Sequence, residues 1–160
     1  MAKVDLAGIA EQLKACGVTH VVWVPDSEIG GLENRLAASI RLVRACREGE
    51  AVTIAAGLLL GGARPVVVCQ CTGFFEAGDA FRNVVKDLRL PLFLLIGHRN
   101  RTAFHAGRSR DSAAAYLEPI LTAWELPYQV LEPDGDPALI RELYARSREG
   151  GFAAAVVVAE

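Results

Sequence analysis

The chain has 160 residues, 52% of them hydrophobic but only 7% aromatic, with a formal net charge of −2. That length suits one domain over 1–160 and can bury a core without staples. It lacks both the basic surface of a nucleic-acid binder and an apolar run near the ~20 residues of a membrane span.

The elements alternate along the chain. Val4, Leu6, Ile9 and Leu13 recur at helical spacing over 3–16, ended by Gly17; this is an amphipathic helix, not a signal peptide. THVVWVP at 19–25 is a strand stopped by Pro25, and Asp26 or Ser27 can cap a helix carrying Ile29, Leu32 and Leu36. IRLVRA at 40–45 is a second strand, and 47–61 an Ala-rich helix ended by Gly61 and Gly62. PVVVCQC at 65–71 is a third strand; Gly73 opens a helix with Phe74, Phe81, Val84, Val85 and Leu88; PLFLLIG at 91–97 is a fourth strand. The polar stretch HRNRTAFHAGRSRD from 98 reads as a functional loop, since long loops are otherwise uncommon. A helix over 112–124, the strand PYQVL, a helix over 136–148 and the strand FAAAVVV complete the series.

Such alternation predicts an α/β fold: an open three-layer α/β/α sandwich around a six-stranded parallel sheet. A core of Ala, Val, Leu and Ile suits a sheet covered on both faces. Cys16, Cys46, Cys69 and Cys71 form no CxxC pair, and three of them lie in or beside apolar segments, which suits a reduced, cytoplasmic protein. Cys69 and Cys71 would share one strand face, but no further ligand stands near them, and no metal site is expected.

Open parallel sheets bind ligands beyond the carboxyl ends of their strands. VPDS (24–27), ACREGE (45–50), QCTG (70–73) and GHRN (97–100) fall there and are the most polar or unusual stretches of the chain. Taken singly, each has a plain explanation. Glu48 and Glu50 favour a helix N-terminus, Asp26 and Ser27 are cap residues, and a loop holding His98, Arg99, Arg101, His105, Arg108 and Arg110 can be a solvated basic segment. The phosphate-binding GxGxxG and GxxxxGK[ST] motifs and the hydrolase GxSxG are all missing.

Five stretches in order carry a family likeness: VPDS followed by a helix, REGEAVTIAAG at 47–57, PVVVCQCTG at 65–73, PLFLLIGHR at 91–99 and ELPYQVLE at 125–132. Over nearly its full length the chain resembles the pyrimidine-binding (Pyr) domain of thiamine-diphosphate enzymes. The likeness is in particular to sulfopyruvate decarboxylase α subunits and the N-terminal part of phosphonopyruvate decarboxylases. The family motif Glu-x-x-Ala-(Ala/Val) falls on Glu48, not Glu50. The resemblance implies that the Glu48 carboxyl hydrogen-bonds N1′ of the cofactor's aminopyrimidine and drives it toward the imino tautomer, which deprotonates the thiazolium C2. An apolar surround strengthens such a bond.

By the same likeness, Gln70, Thr72, Gly73 and Phe74 line the pyrimidine pocket. Asp26, Ser27, Arg99 and His105 face the substrate, with Ser27 and His105 also catalytic. Arginine forks suit a sulfonate or phosphonate. The pattern is broken where related decarboxylases have Leu-Gly-Asn and this chain has Phe74-Phe75-Glu76, which leaves the 2-oxoacid open. The family holds the diphosphate and Mg²⁺ with a Gly-Asp-Gly…Asn motif on a second domain, and this chain has neither. The resemblance therefore implies one subunit of a two-chain 2-oxoacid decarboxylase. It would carry thiamine diphosphate and Mg²⁺ with a diphosphate-binding β subunit and self-associate through the Pyr domain. Three readings stay beside it: a carboligase or lyase on another 2-oxoacid, a non-catalytic interaction subunit with a Pyr fold, and a flavodoxin-like binding module for another ligand.

Overall fold

A computed structural model describes residues 4–24 and 29–159. The first helix, α1 (Leu6–Ala15), is started by Asp5, whose Oδ1 accepts the N–H groups of Ala7 and Gly8 at 3.0 Å, and it buries Ile9 and Leu13. Gly17 turns the chain at φ 68°, and β1 (His20–Trp23) follows. The next helix, α2 (Leu32–Leu36), is short and begins after Gly31, well past the expected caps Asp26 and Ser27, which lie outside the described residues. Then come β2 (Arg41–Arg44), α3 (Glu48–Leu60) and β3 (Pro65–Gln70).

The chain passes from β3 straight into helix at Cys71, two residues before the expected start at Gly73. Helices α4 (Cys71–Glu76) and α5 (Gly78–Ala80) run on into a π-helical stretch, Phe81–Lys86. Cys71 thus leaves the strand that carries Cys69, although both stay in one apolar cluster. Next is β4 (Phe93–His98). The stretch after it is not wholly loop: Arg101–His105 form a short helix, α6. The last elements are α7 (Ser112–Ala123), β5 (Tyr128–Leu131), α8 (Ala138–Gly150) and β6 (Ala154–Ala159). Asp111 caps α7 through Ala113 N–H at 3.0 Å, and Gly151 ends α8 at φ 66°.

All six strands are parallel, in the order β2-β1-β3-β4-β6-β5. Strand residues alternate between two apolar clusters, as the two-residue period of a strand requires. Val66 and Val68 face α1, α2 and α8, while Val67 and Cys69 face α3, α4 and α7. The sheet is therefore the middle of three layers. Because β1 pairs with β2 on one side and β3 on the other, successive connections diverge at its carboxyl end. That divergence opens a crevice where ligands bind in such folds.

Candidate active site

The N-terminus of α3 is set against α4 beside this crevice. Arg47, at the N-cap, is extended (φ −146°, ψ 152°) and offers no side-chain cap. The exposed amides are served from elsewhere. Glu50 reaches back to accept Cys46 N–H at 2.8 Å, and Glu76 of α4 accepts Gly49 N–H at 2.8 Å. Glu50 is thus occupied in holding the turn, as half of a capping box would.

Glu48, the first residue of α3, does something different. Its half-buried side chain crosses to Gly73 in α4. A Cβ on Gly73 would lie 2.5 Å from the Glu48 carboxyl carbon and 2.6 Å from its Cγ. Only glycine leaves that space. Among the described residues no hydrogen bond or ion pair engages the Glu48 carboxylate. Ala51, Ala55 and Ala56 behind it are buried and small. A carboxylate seated against glycine, with no partner among the described residues, leaves oxygens that can accept a ring N–H, which fits the N1′ edge of an aminopyrimidine.

The remaining expected site residues that the structure describes differ in exposure and partners. Gln70 ends β3 half-buried, and Thr72 is exposed on α4. Phe74 does not face the mouth. Its ring is 2% exposed and packs edge-on against Phe81 at 5.4 Å, so any contact from this residue to a ligand comes from its backbone. Half-buried Phe75 flanks it. Cys71 is wholly buried, and burial pushes its thiol up, out of the reactive range.

Arg99, just past β4, has Nη2 3.4 Å from Asp111 Oδ2, which also accepts Asn100 Nδ2–H at 2.9 Å. The Asn100 hydrogen bond, then the Ala113 amide, hold the Asp111 carboxyl below its usual range. His105, on α6, is 53% exposed, with Nε2 3.6 Å from Glu118 Oε1.

Glu118 was not legible as a site residue. It sits mid-α7, where a glutamate reads as an outward charge, yet it gathers the segment after β4. Arg101 Nε donates to it at 2.8 Å and Tyr128 Oη–H at 3.3 Å, while Arg101 Nη1 donates to Glu132 at 2.6 Å. Burial pushes the Glu118 carboxyl up, but the hydrogen bond and charge of Arg101 overcome this and hold it low. His98 is fully buried. Its Nε2–H donates to the Ala114 carbonyl at 3.1 Å, which fixes the tautomer. Nδ1 then presents a lone pair 4.0 Å from Glu118, with no hydrogen-bond partner among the described residues. Burial pulls the His98 pKa below its ordinary value.

Two grooves, of about 730 and 360 Å³, open at the opposite, amino-terminal edge of the sheet, beside Thr19 and Arg41 and beside Arg89 and Pro127. Neither includes Glu48. Among the described residues no group of three or more His, Cys, Asp or Glu is arranged to hold a metal ion, and no helix is long and apolar enough to cross a membrane.

Residues 6–116 match the family model "Thiamine pyrophosphate enzyme, N-terminal TPP binding domain". The chain belongs to this family. Relatives of this Pyr domain include the phosphonopyruvate decarboxylase of Streptomyces viridochromogenes, 29% identical over 61% of the chain and 25% of the relative. Another is the sulfopyruvate decarboxylase subunit alpha of Methanococcus maripaludis, 25% identical over 70% of the chain and 68% of the relative. The chain spans about a quarter of the length of the Streptomyces relative. In solved structures its fold is similar to benzoylformate decarboxylase from Polynucleobacter necessarius, with a TM-score of 0.77 and 18% identity over 98% of this chain and 30% of that one. The expected six-stranded, all-parallel Pyr fold is the one observed.

Proposed function

We propose that residues 1–160 form one Pyr-type domain that serves as the pyrimidine-binding subunit of a two-chain thiamine-diphosphate-dependent 2-oxoacid decarboxylase, of the sulfopyruvate or phosphonopyruvate type. The observation that carries the reading is the uncommitted Glu48 carboxylate seated on Gly73. When bound, thiamine diphosphate supplies the carbon nucleophile and the electron sink for loss of CO₂. The chain's own residues do the rest. Glu48 holds the proton at the pyrimidine N1′ and orients the ring; Gln70, Thr72, Gly73 and the Phe74 backbone line the ring's pocket. By the family likeness Asp26, Ser27, Arg99 and His105 serve the substrate, with Arg99 offering charge and Ser27 and His105 taking the proton-transfer roles.

A diphosphate-binding β subunit holds the diphosphate and Mg²⁺. Two observations support a partner. The Methanococcus relative is named an alpha subunit. Helix α3 is apolar and uncharged from Ala51 onward, with Thr53, Gly57 and Leu60 exposed and Leu60 at 69%. A helix apolar on every side is one that other protein covers, and self-association through the Pyr domain accounts for part of that cover. The assembly works in the cytoplasm on a small 2-oxoacid. A carboligase or lyase on another 2-oxoacid is the second reading, suggested by Phe74-Phe75 where related decarboxylases have Leu-Gly.

Native purification of the chain, with bound thiamine diphosphate and co-purifying protein assayed and Glu48→Gln run in parallel, tests the reading. The expected result is cofactor plus one partner chain, with Glu48→Gln keeping the assembly and losing 2-oxoacid decarboxylation. A wild-type chain that ignores thiamine diphosphate, Mg²⁺ and candidate partners overturns it. Product analysis across several 2-oxoacids separates an aldehyde from a new carbon–carbon bond.

A further inference from the structure

We propose that Glu76 is the positioning residue for Glu48, acting through the two residues that flank it. The inference rests on the reading of Glu48 given above. One Glu76 oxygen accepts Gly49 N–H at 2.8 Å, and the other lies 3.3 Å from Arg47 Nε. A single carboxylate from α4 therefore grips the chain on both sides of Glu48. The same short helix supplies Gly73, the floor under the Glu48 side chain. The clamp thus sets the distance between the Glu48 backbone and the cradle its carboxyl lies in.

The two halves of the clamp do different work. Arg47 and Glu76 are 77% and 38% exposed, so their ion pair adds little stability. A carboxylate accepting a helix N-terminal amide is the stronger contact and lies along the helix dipole. It fixes where α3 begins, and with it the direction in which Glu48 leaves the backbone. The Arg47 contact has an electrostatic purpose instead. Arg47 precedes Glu48 in the chain, its Nε lies 3.3 Å from Glu76, and no ion pair joins it to Glu48 among the described residues. Held on Glu76, it leaves the Glu48 oxygens for the pyrimidine. Glu76 is thus a spacer and a decoy, and does not itself touch the ring.

The experiment uses the full ¹⁵N-labelled chain and, for turnover, the enzyme assembled with its diphosphate-binding subunit. Amide hydrogen exchange is read at Gly49, with Cys46, which bonds Glu50, as the internal control. Glu76→Ala is expected to speed Gly49 exchange at least about tenfold and leave Cys46 unchanged. It is also expected to weaken thiamine diphosphate binding and lower kcat, each by about tenfold or more, while KM for the 2-oxoacid stays within about twofold. Glu76→Gln keeps an acceptor oxygen and restores Gly49 protection and most of kcat. Adding Arg47→Ala to Glu76→Ala recovers part of the lost cofactor affinity. If Glu76→Ala speeds Gly49 exchange yet leaves cofactor affinity and kcat at wild-type values, Glu76 is a cap only and the inference falls. Unchanged Gly49 exchange also defeats it. In both cases an inactive Glu48→Gln leaves the proposed function standing, whereas a fully active Glu48→Gln removes both.

Discussion

The carboxyl of Glu48 occupies the volume that a side chain on residue 73 would need, with a Cβ there falling 2.5 Å from the carboxyl carbon. Gly73→Ala therefore forces Glu48 off its cradle or α4 off α3. The expected cost is about 1–3 kcal/mol, the usual range for overpacking. Removing the glutamate side chain in the same molecule should return most of it. Urea unfolding of wild type, Gly73→Ala, Glu48→Ala and the double variant measures the coupling; strictly additive changes would mean the two side chains do not meet.

Glu50 and Glu48 stand two residues apart with opposite duties. Glu50 accepts Cys46 N–H at 2.8 Å, and Glu50→Ala leaves that amide to water. A loss of about 1 kcal/mol is expected, in the range of a lost helix cap, with cofactor affinity of the assembled enzyme unchanged. Glu48→Ala should reverse the pattern, sparing stability and abolishing turnover. Unfolding midpoints and cofactor titrations on the two variants check both halves.

Arg101 binds two carboxylates, Glu118 at 2.8 Å and Glu132 at 2.6 Å, and its side chain is 15% exposed. Arg101→Met leaves Glu118 charged and poorly solvated. A loss on the order of 2 kcal/mol is expected, as for a charged hydrogen-bonded partner. Most of it belongs to Glu118, since the half-exposed Glu132 is screened by water. Arg101→Met combined with Glu118→Gln should recover part of the loss, and thermal unfolding of the three variants decides it.

His98 gives the fold an acid-side weakness. Buried and neutral, with its pKa pulled down by burial, it binds fewer protons folded than unfolded. Its contribution is complete above the unfolded value of about 6.5 and is lost as pH falls toward the lowered folded value. Glu118 and Asp111, also held low, lose theirs only further into acid, below about 4. The groups facing His98 are Glu118, Arg101, His105 and the Ala114 carbonyl. Urea midpoints taken from about pH 7.5 down to 5 should fall for wild type and stay flat for His98→Gln in the upper part of that window. A wild-type midpoint that holds steady to pH 5 contradicts the assignment.

Much of this could be read from the chain before folding. Local patterns are short-range physics: the alternation of Val-rich runs with amphipathic stretches and the Gly17 turn act within a few residues. They determined six parallel strands and three layers. The motif beginning at Glu48 was legible because its spacing is local as well. The sequence did not disclose α6, where five residues coil inside a polar stretch, nor the inward turn of Phe74, since both depend on what packs against them.

The family motif points to Glu48 rather than Glu50, but only the tertiary structure shows the physical difference between them, with Glu48 unpartnered among the described residues. One is committed to Cys46 and the other lies on Gly73 because α4 arrives from 25 residues away to form the floor and, through Glu76, the clamp. Likewise Glu118, an ordinary helix-surface glutamate by pattern, becomes the hub for Arg101 and Tyr128 once α7 lies across the end of β4. Such contacts join residues far apart in the chain, and no local rule of spacing encodes a distance that only sheet order and helix packing set.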